Sequence, residues 1–387
     1  MSSKPLKGIC VLELGHSLAA PYAGLIFAEL GAEVIKVELP PKGDHARGWG
    51  PPFTEDAATA FQVMNRGKYG ITCDLSDERQ FAHLMKLVRE QADVLVHNLK
   101  PGAEEKLGLT GERLLKENPR LVVCNIAAFG AKGPLRYQPG YDPLMQAFSG
   151  LMSLCGHPDS PPSRVPVSLV DLGSGMWAAI GILAALRERD ITGKGAVVNT
   201  SLLETALNWL TLAISGYLAN GEVPQRQGSG LAEIVPYQVF AAQDGEMMVA
   251  AGNDGLFKKL CEVMGLNHLV EDPRFSTNPQ RVRNKPALIP ILQAEFLKKP
   301  RAEWLDSLTR VGVPVGPLQT VDEVVRHPQV EALEILQKHH RGGFQTVGLP
   351  LSFDGARPSF SDIGPRLGEH NSLFGENTTG SAPDEKK

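Results

Sequence analysis

GICVLELGHSLAAPYAGLIFAELGAEVIKVEL, residues 8–39, decides the fold. Residues 8–14 form a short apolar run that leans toward strand. LAAPYAGLIFAEL (18–30) spaces its apolar residues as a helix does, and Gly31 stands where a helix stops. EVIKVEL (33–39) returns to strand. Strand, helix and strand within about thirty residues make a βαβ unit with a right-handed crossover. The alternation continues downstream. ITCDL (71–75) leads into a helix ending near Glu90, DVLVHN (93–98) leads into one near 104–117, and LVVCNIAAFG (121–130) is the next strand. The pattern predicts an α/β fold with a doubly wound parallel sheet.

Gly- and Pro-rich stretches at 130–143 and 156–166 interrupt this rhythm, and loops of that length inside an α/β domain are usually functional or unstructured. Beyond them GSGMWAAIGILAALRER (173–189) reads as a helix, AVVNTS (196–201) as a strand and 202–218 as a helix. ANGEVPQRQGS (219–229) reads as a linker. PYQVFAA and GEMMVAAG flank the turn Gln243-Asp244-Gly245 as a hairpin, helices follow to about residue 308, and GVPVGPL with His327-Pro328 leads back toward the C-terminus. The polar tail from Gly375 is expected to fray.

A chain of 387 residues suggests two domains, or one large domain with a smaller one appended. With 42% hydrophobic and 21% charged residues it can bury sizeable cores, and a formal charge of -4 gives no long-range attraction to nucleic acid or an anionic membrane. The five cysteines (Cys10, Cys73, Cys124, Cys155, Cys261) are widely spaced and read as thiols in a reducing compartment. No uninterrupted apolar run reaches the roughly 18 residues of a membrane span; the nearest, 176–186, ends in RERD. The N-terminal segment reads as a first strand, not a signal peptide. A cytoplasmic protein is expected.

Several ligand classes fail on their motifs. The first strand-to-helix turn, Gly15-His16-Ser17-Leu18-Ala19-Ala20, is not GxGxxG, and GAKGP (130–134) lacks the Lys-Ser/Thr ending of a phosphate loop. His339-His340 and the scattered histidines do not show metal-ligand spacing. VSLVDLGSG (167–175) puts Asp171 where a hydrolase elbow would carry serine. That aspartate admits two readings: a cap accepting hydrogen bonds from the first amides of the next helix, or a nucleophilic carboxylate beside small residues that let a large substrate approach, with helix amides free for an oxyanion. The local sequence leaves both open.

The stretch VSLVDLGSGMWAAIGILAALRERDITGKGAVVNTSLLE (167–204) resembles the central signature of class III CoA-transferases, which include formyl-CoA and carnitine CoA-transferases and the 2-methylacyl-CoA racemases. The likeness covers nearly the whole chain: VLELGHSLAAPYAGLIFAELGAEVIKVE, GDHARGW, ADVLVHNLKPGAEEKLGL, the loop sequence GYD, VPVGPLQTVDEV and HPQV occur in the family's order. It implies that Asp171 is the catalytic carboxylate. It implies that His16, Leu18 and Ala19 meet CoA and the thioester, that Cys73, Asp74, Leu75 and Ser76 line the adenine end, and that Asn98, Leu99 and Lys106 lie along the CoA chain and phosphates. Tyr141 falls near the acyl group, Leu39, Arg47 and Arg66 are further CoA candidates, and Gly228-Ser229-Gly230 resembles a glycine-rich loop over the site. Blander roles stand beside these: Asn98 as a turn cap, Lys106 and Arg66 as surface charges, Tyr141 as core packing.

Departures accompany the likeness. Leu18 replaces a glutamine of formyl-CoA transferases, Leu39 and Pro139 replace basic residues, and Lys106 replaces an arginine, so the acyl pocket should differ. The resemblance further implies a large domain from 1–218 and 330–387, a linker at 219–229, a small α/β domain at 230–310, a return linker at 311–329, and a homodimer of interlocked chains. It implies acyl-CoA and a carboxylic acid as substrates, coenzyme A being a substrate with no metal or redox cofactor required. An α-proton racemase and a non-catalytic CoA-binding protein are the alternatives. The family's racemases carry a histidine before the aspartate of the GxD loop, where this chain has Tyr141, and a tyrosine titrating ordinarily at about 10 is a poor base at neutral pH. The nearby His157 lies in the Pro-rich loop and is expected at the surface.

Overall fold

Strand β1 (Cys10–Leu14) is buried at all five positions, as a central parallel strand covered on both faces must be. The computed structural model describes residues 4–54, 57–341, 343–360 and 362–374; the tail from Gly375 lies outside them. With β2 (Glu33–Glu38), β3 (Tyr69–Thr72), β4 (Val94–His97), β5 (Val122–Ala127) and β6 (Ala196–Ser201), β1 forms a six-stranded sheet in the order β3-β2-β1-β4-β5-β6, parallel throughout. Successive side chains on a strand point to opposite faces. Val11, Val34, Val96 and Cys124 therefore enter one core with helix α1 (Ala19–Glu29), while Leu12, Ile35, Leu95 and Val123 enter another with Leu84, Leu87 and Val88. The order reverses between β1 and β4. In open α/β sheets that reversal opens a crevice at the carboxyl ends of the strands, and here it lies after Leu14 and His97.

The helices depart from the sequence reading where distant residues decide. Helix α2 (Thr59–Asn65) precedes β3, and α3 (Glu78–Glu90) follows it, capped by Asp77. The helix expected near 104–117 is two, α4 (Ala103–Leu107) and α5 (Gly111–Glu117), because Gly108 adopts φ 69° and ends the first. Helix α6 (Asp142–Phe148) starts at the end of the first Gly- and Pro-rich stretch. Helix α7 (Leu169–Thr192) starts four residues before the expected 173. It is long and apolar enough by length and composition to cross a membrane, unlike the shorter run expected, yet Val170, Ala178, Ala179 and Ile182 are packed in the sheet core. The single helix expected at 202–218 is α8 (Leu202–Trp209) and α9 (Thr211–Asn220).

Contacts divide the chain into two units. The first comprises Met1–Leu151, Val165–Gly221 and Pro328–Lys387, and the second Met152–Arg164 and Glu222–His327. The loop segment 152–164 thus groups with the second unit. In that unit β7 (Tyr237–Ala241) and β8 (Glu246–Ala250) form the expected hairpin, and β9 (Val315–Pro317), from the stretch expected to be a return linker, adds a third antiparallel strand. Its core is aromatic: Phe240 and Phe296 meet at 4.8 Å with their rings tilted by 43°, and Trp304 meets Phe296 edge-on at 5.2 Å and donates Nε1–H to its carbonyl.

In the first unit the C-terminal chain returns to the sheet edge. The Gly70 and Thr72 amides of β3 donate to His370 Nδ1 at 3.0 Å and Asn371 Oδ1 at 2.9 Å. Side chains thus occupy what would be an open strand edge. The buried Arg66 pairs with Glu29 and donates to the Val347 carbonyl, and Glu29 accepts from Leu349 N–H.

Candidate active site

Asp171 is the third residue of α7. The cap position belongs to Ser168, whose side chain makes no capping bond. The capping is done from a distance: Asp142 Oδ2 accepts from Val170 N–H at 2.7 Å and from Asp171 N–H at 3.2 Å, while Gln146 donates to Asp142 Oδ1. Leu169 N–H donates to the Val167 carbonyl and Leu172 N–H to Ser168. This corrects two sequence expectations. Asp171 is not the cap of its helix, and the amides that start α7 are engaged, so they are not free for an oxyanion. The Asp171 carboxylate accepts no hydrogen bond among the described residues. Burial, with the Asp142 carboxylate nearby, pushes it from 3.8 up to about 7.

The small residues after Asp171 also have a different role from the one expected. A Cβ on Gly173 would stand 2.9 Å from Thr205 and Trp209 side-chain atoms, and one on Gly175 would stand 2.6 Å from the Ala19 carbonyl oxygen. Ser174 Oγ bonds Val170 O at 2.8 Å and Thr205 Oγ1 at 2.9 Å. Gly173 and Gly175 admit neighbouring helices, not substrate. Asp171 and Gly175 are one turn apart on a single helix face, and Gly175 packs against the Ala19 carbonyl at the start of α1.

That start is unusual. Leu18 occupies the cap position of α1 and supplies no side-chain bond, a poor residue for the place. The Ala19 and Ala20 amides find no acceptor among the described residues. The turn before them is held tightly: Asn98 bridges the crevice, accepting from His16 N–H at 2.8 Å and donating to the His16 carbonyl at 2.9 Å. Asn98 is therefore neither a simple turn cap nor a free side chain. Burial drives the His16 imidazole toward its neutral form, against the pull of Asp44, and its buried Nδ1 has no partner among the described residues.

The remaining sequence candidates fall into four groups. Cys73 lines a small apolar crevice with Ile71, Leu84, Leu87 and Phe374, and Asp74 accepts from the Ser76 amide and hydroxyl beside it, with Leu75 between. Leu39, Lys106 and Tyr141 are exposed, Leu99 half-buried, and His157 is exposed as expected. The two arginines are engaged within the chain. Arg66 is buried in its pair with Glu29, which corrects its reading as a surface charge and leaves it tying chain ends together. Arg47 holds Glu38 through two nitrogens at 2.7 and 2.8 Å and lies 3.8 Å above the Phe61 ring. In the second unit Gly228 has φ 62° and would drive a Cβ to 2.7 Å from His157 Nδ1, while Ser229 accepts from Val239 N–H and Gly230 packs beside Lys285.

Sequence reading missed Asp142, although GYD was in view, and the buried set Glu13, Lys36, Asp44 and Lys68. It also missed His97, at the crevice end of β4, whose imidazole burial pushes down to about 4. For Asp142 the available signal was an acidic residue followed by Pro143 in the first turn of a helix.

The sequence compares closely with known proteins. It is 41% identical over 352 residues to an acetyl-CoA:oxalate CoA-transferase of Acetobacter aceti, covering 91% of this chain and 90% of that one. It is 36% identical to the succinyl-CoA:glutarate CoA-transferase of Mus musculus, over 95% and 85% of the two chains. The crystal structure of a CaiB/BaiF family protein from Brucella suis superposes with a TM-score of 0.85 at 38% identity, covering 96% of this chain and 99% of that one. Residues 6–371 match the family described as CoA-transferase family III, and the chain belongs to the class III CoA-transferases.

Proposed function

We propose that the protein transfers coenzyme A from an acyl-CoA donor to a carboxylic acid, with Asp171 as covalent nucleophile. The carrying observation is the state of that side chain: largely buried, with no hydrogen bond from the described residues, and pushed up to about 7. Such a carboxylate is poorly solvated and nucleophilic once ionised. In the first step Asp171 attacks the thioester carbonyl, the C–S bond breaks, and CoA leaves as thiolate, giving a mixed anhydride between Asp171 and the donor acyl group. The thiolate then attacks the Asp171 acyl carbon, releasing the donor acid and leaving an aspartyl-CoA thioester. An acceptor carboxylate reverses both steps and frees Asp171. Thioester energy is conserved, so the cycle requires no metal or redox cofactor.

The Ala19 and Ala20 amides are the natural donors to the thioester oxygen as it gains charge. His16, Leu18, Leu99 and Lys106 would follow the CoA chain, and the crevice at Cys73 to Ser76 would take the adenine end. The oxalate and glutarate named for the two relatives make a small dicarboxylate the first acid to try. Cytoplasmic location and a homodimer complete the reading.

Incubation with acyl-CoA followed by hydroxylamine should mark Asp171 by peptide mass, and Asp171→Asn should lower turnover by about three orders of magnitude or more. A folded Asp171→Asn with near-normal turnover would overturn the assignment. Transfer is favoured over racemisation by the exposed Tyr141 where the racemases carry histidine. In deuterated water without an acceptor acid, a 2-methylacyl-CoA should take up no deuterium; rapid uptake at its α-carbon would establish the racemase instead.

A further inference from the structure

Beneath the turn between β1 and α1 lie four buried charges that the reaction does not use: Glu13, Lys36, Asp44 and Lys68. Lys36 Nζ stands 3.1 Å from Glu13 Oε1 and 2.9 Å from Asp44 Oδ2, and donates to the Gly15 carbonyl at 2.8 Å. Lys68 Nζ reaches Glu13 Oε2 at 2.6 Å and the Pro21 carbonyl at 2.8 Å. Asp44 Oδ1 accepts from Ser17 N–H and from Ala46 N–H, each at 2.9 Å.

Buried ion pairs are weak contributors to stability, since desolvation opposes their attraction. This set is arranged around backbone. Ser17 has φ 66°, a left-handed conformation that a residue with a Cβ adopts at a cost, and such strain persists only where its surroundings enforce it. The enforcing contacts are the Asp44 bond to its amide and the Lys36 bond to the carbonyl two residues earlier. Burial alone would raise the Asp44 carboxyl, but Lys36 and the two amides outweigh it and hold the group ionised.

We propose that Lys36 and Asp44 are positioning residues for transfer: through the Gly15 carbonyl and the Ser17 amide they fix the backbone that presents His16 and the Ala19 and Ala20 amides to the thioester. The inference rests on this turn being part of the acyl-CoA site. Asp44, from GDHARGW, thereby acts on the chemistry without touching it.

The test is a kinetic cycle on the full-length protein, with acyl-CoA and an accepted acid. Asp44→Ala should melt cooperatively and lose about 100-fold in kcat, with a smaller change in KM, as expected when a reacting group is displaced by about an ångström. Asp44→Asn keeps an acceptor for Ser17 and should recover all but about tenfold. Ser17→Gly makes the left-handed turn easy, so in that background Asp44→Ala should cost about a tenth of what it costs alone. A purely structural cluster would move melting temperature without this coupling. Folded Asp44→Ala with wild-type kcat overturns the proposal, as does an undiminished loss in the Ser17→Gly background. Where Asp44→Ala does not fold, folded Asp44→Asn decides: a lowered kcat supports the proposal and a wild-type kcat overturns it. Asp171→Asn, run in parallel, separates the two failures. If it retains turnover, the reading of the site is wrong; if it is inactive while Asp44 variants are normal, only the positioning role is wrong.

Discussion

Asp171 shows how much one residue's meaning depends on partners far away in sequence. Two local readings were open to it, and Asp142, 29 residues earlier, removes one by occupying the amides a cap would take. Asp142 also bears on the titration. Burial first, and this like charge second, bring Asp171 up to about 7, so kcat/KM should rise with pH and level off above about 7. Asp142→Asn should move that limb to lower pH while Asp171 remains buried; an unmoved limb would show that Asp142 has no electrostatic part. Stability should run the other way. The unfolded chain loses this proton near about 4 and the folded chain only near about 7, so the group costs stability as pH rises across that window. Asp171→Asn should therefore melt above the wild type at pH 8, by about 2–4 kcal/mol at full effect, with the difference vanishing toward pH 4. Equal melting temperatures at both pH values would contradict a raised carboxyl. Arg66 carries the same lesson: its cationic side chain was legible, but its burial against Glu29, 37 residues away, was not.

At the scale of elements, the strands of the large sheet were legible because each is an apolar run bounded by glycine or polar turns, with β3 two residues earlier than its run suggested, whereas β9 lay in a stretch expected to be a linker. The starts and breaks of helices were less so. Helix α7 begins early because its cap bonds come from α6, and 104–117 breaks because Gly108 turns left-handed, which composition alone does not dictate. The glycines of DLGSG looked like room for a substrate and are room for helices. Gly175→Ala should then be costly, since the added carbon meets the rigid Ala19 carbonyl at 2.6 Å, and overpacking of this kind costs about 1–3 kcal/mol. Because it pushes α1 from α7, kcat/KM should fall as well. A Gly175→Ala variant that melted at or above the wild-type temperature would refute the packing account.

At the scale of the whole molecule, the resemblance implied that 330–387 joins the large domain, but the side chains that tie this stretch to β3 and to Arg66, namely His370 and Asn371 with the Val347 carbonyl, could be found only in three dimensions. The interlocked homodimer rests on that same resemblance, and the first unit supplies a physical reason to expect a second copy. Helix α7 is apolar on nearly every side, and its own chain covers only part of it: Met176, Trp177 and Ile180 remain exposed. Trp209, Leu212, Tyr217 and Leu218 of α8 and α9 are exposed too, Leu212 at 87%. Apolar side chains in such number on consecutive helices are what a surface meant for another chain would carry. A symmetric pair would bury the same helices from both copies, and interlocked chains would bury far more than the roughly 1,600 Å² of an ordinary complex. Sedimentation equilibrium at micromolar concentration should therefore give one species of twice 41.8 kDa, with no folded monomer on dilution. Ile180→Glu and Leu212→Glu should each lower the melting temperature and the dimer fraction together, because a buried unpaired carboxylate is costly at an interface. A folded monomer of the wild type, stable at micromolar concentration, would exclude the interlocked dimer and leave this apolar surface to a different chain.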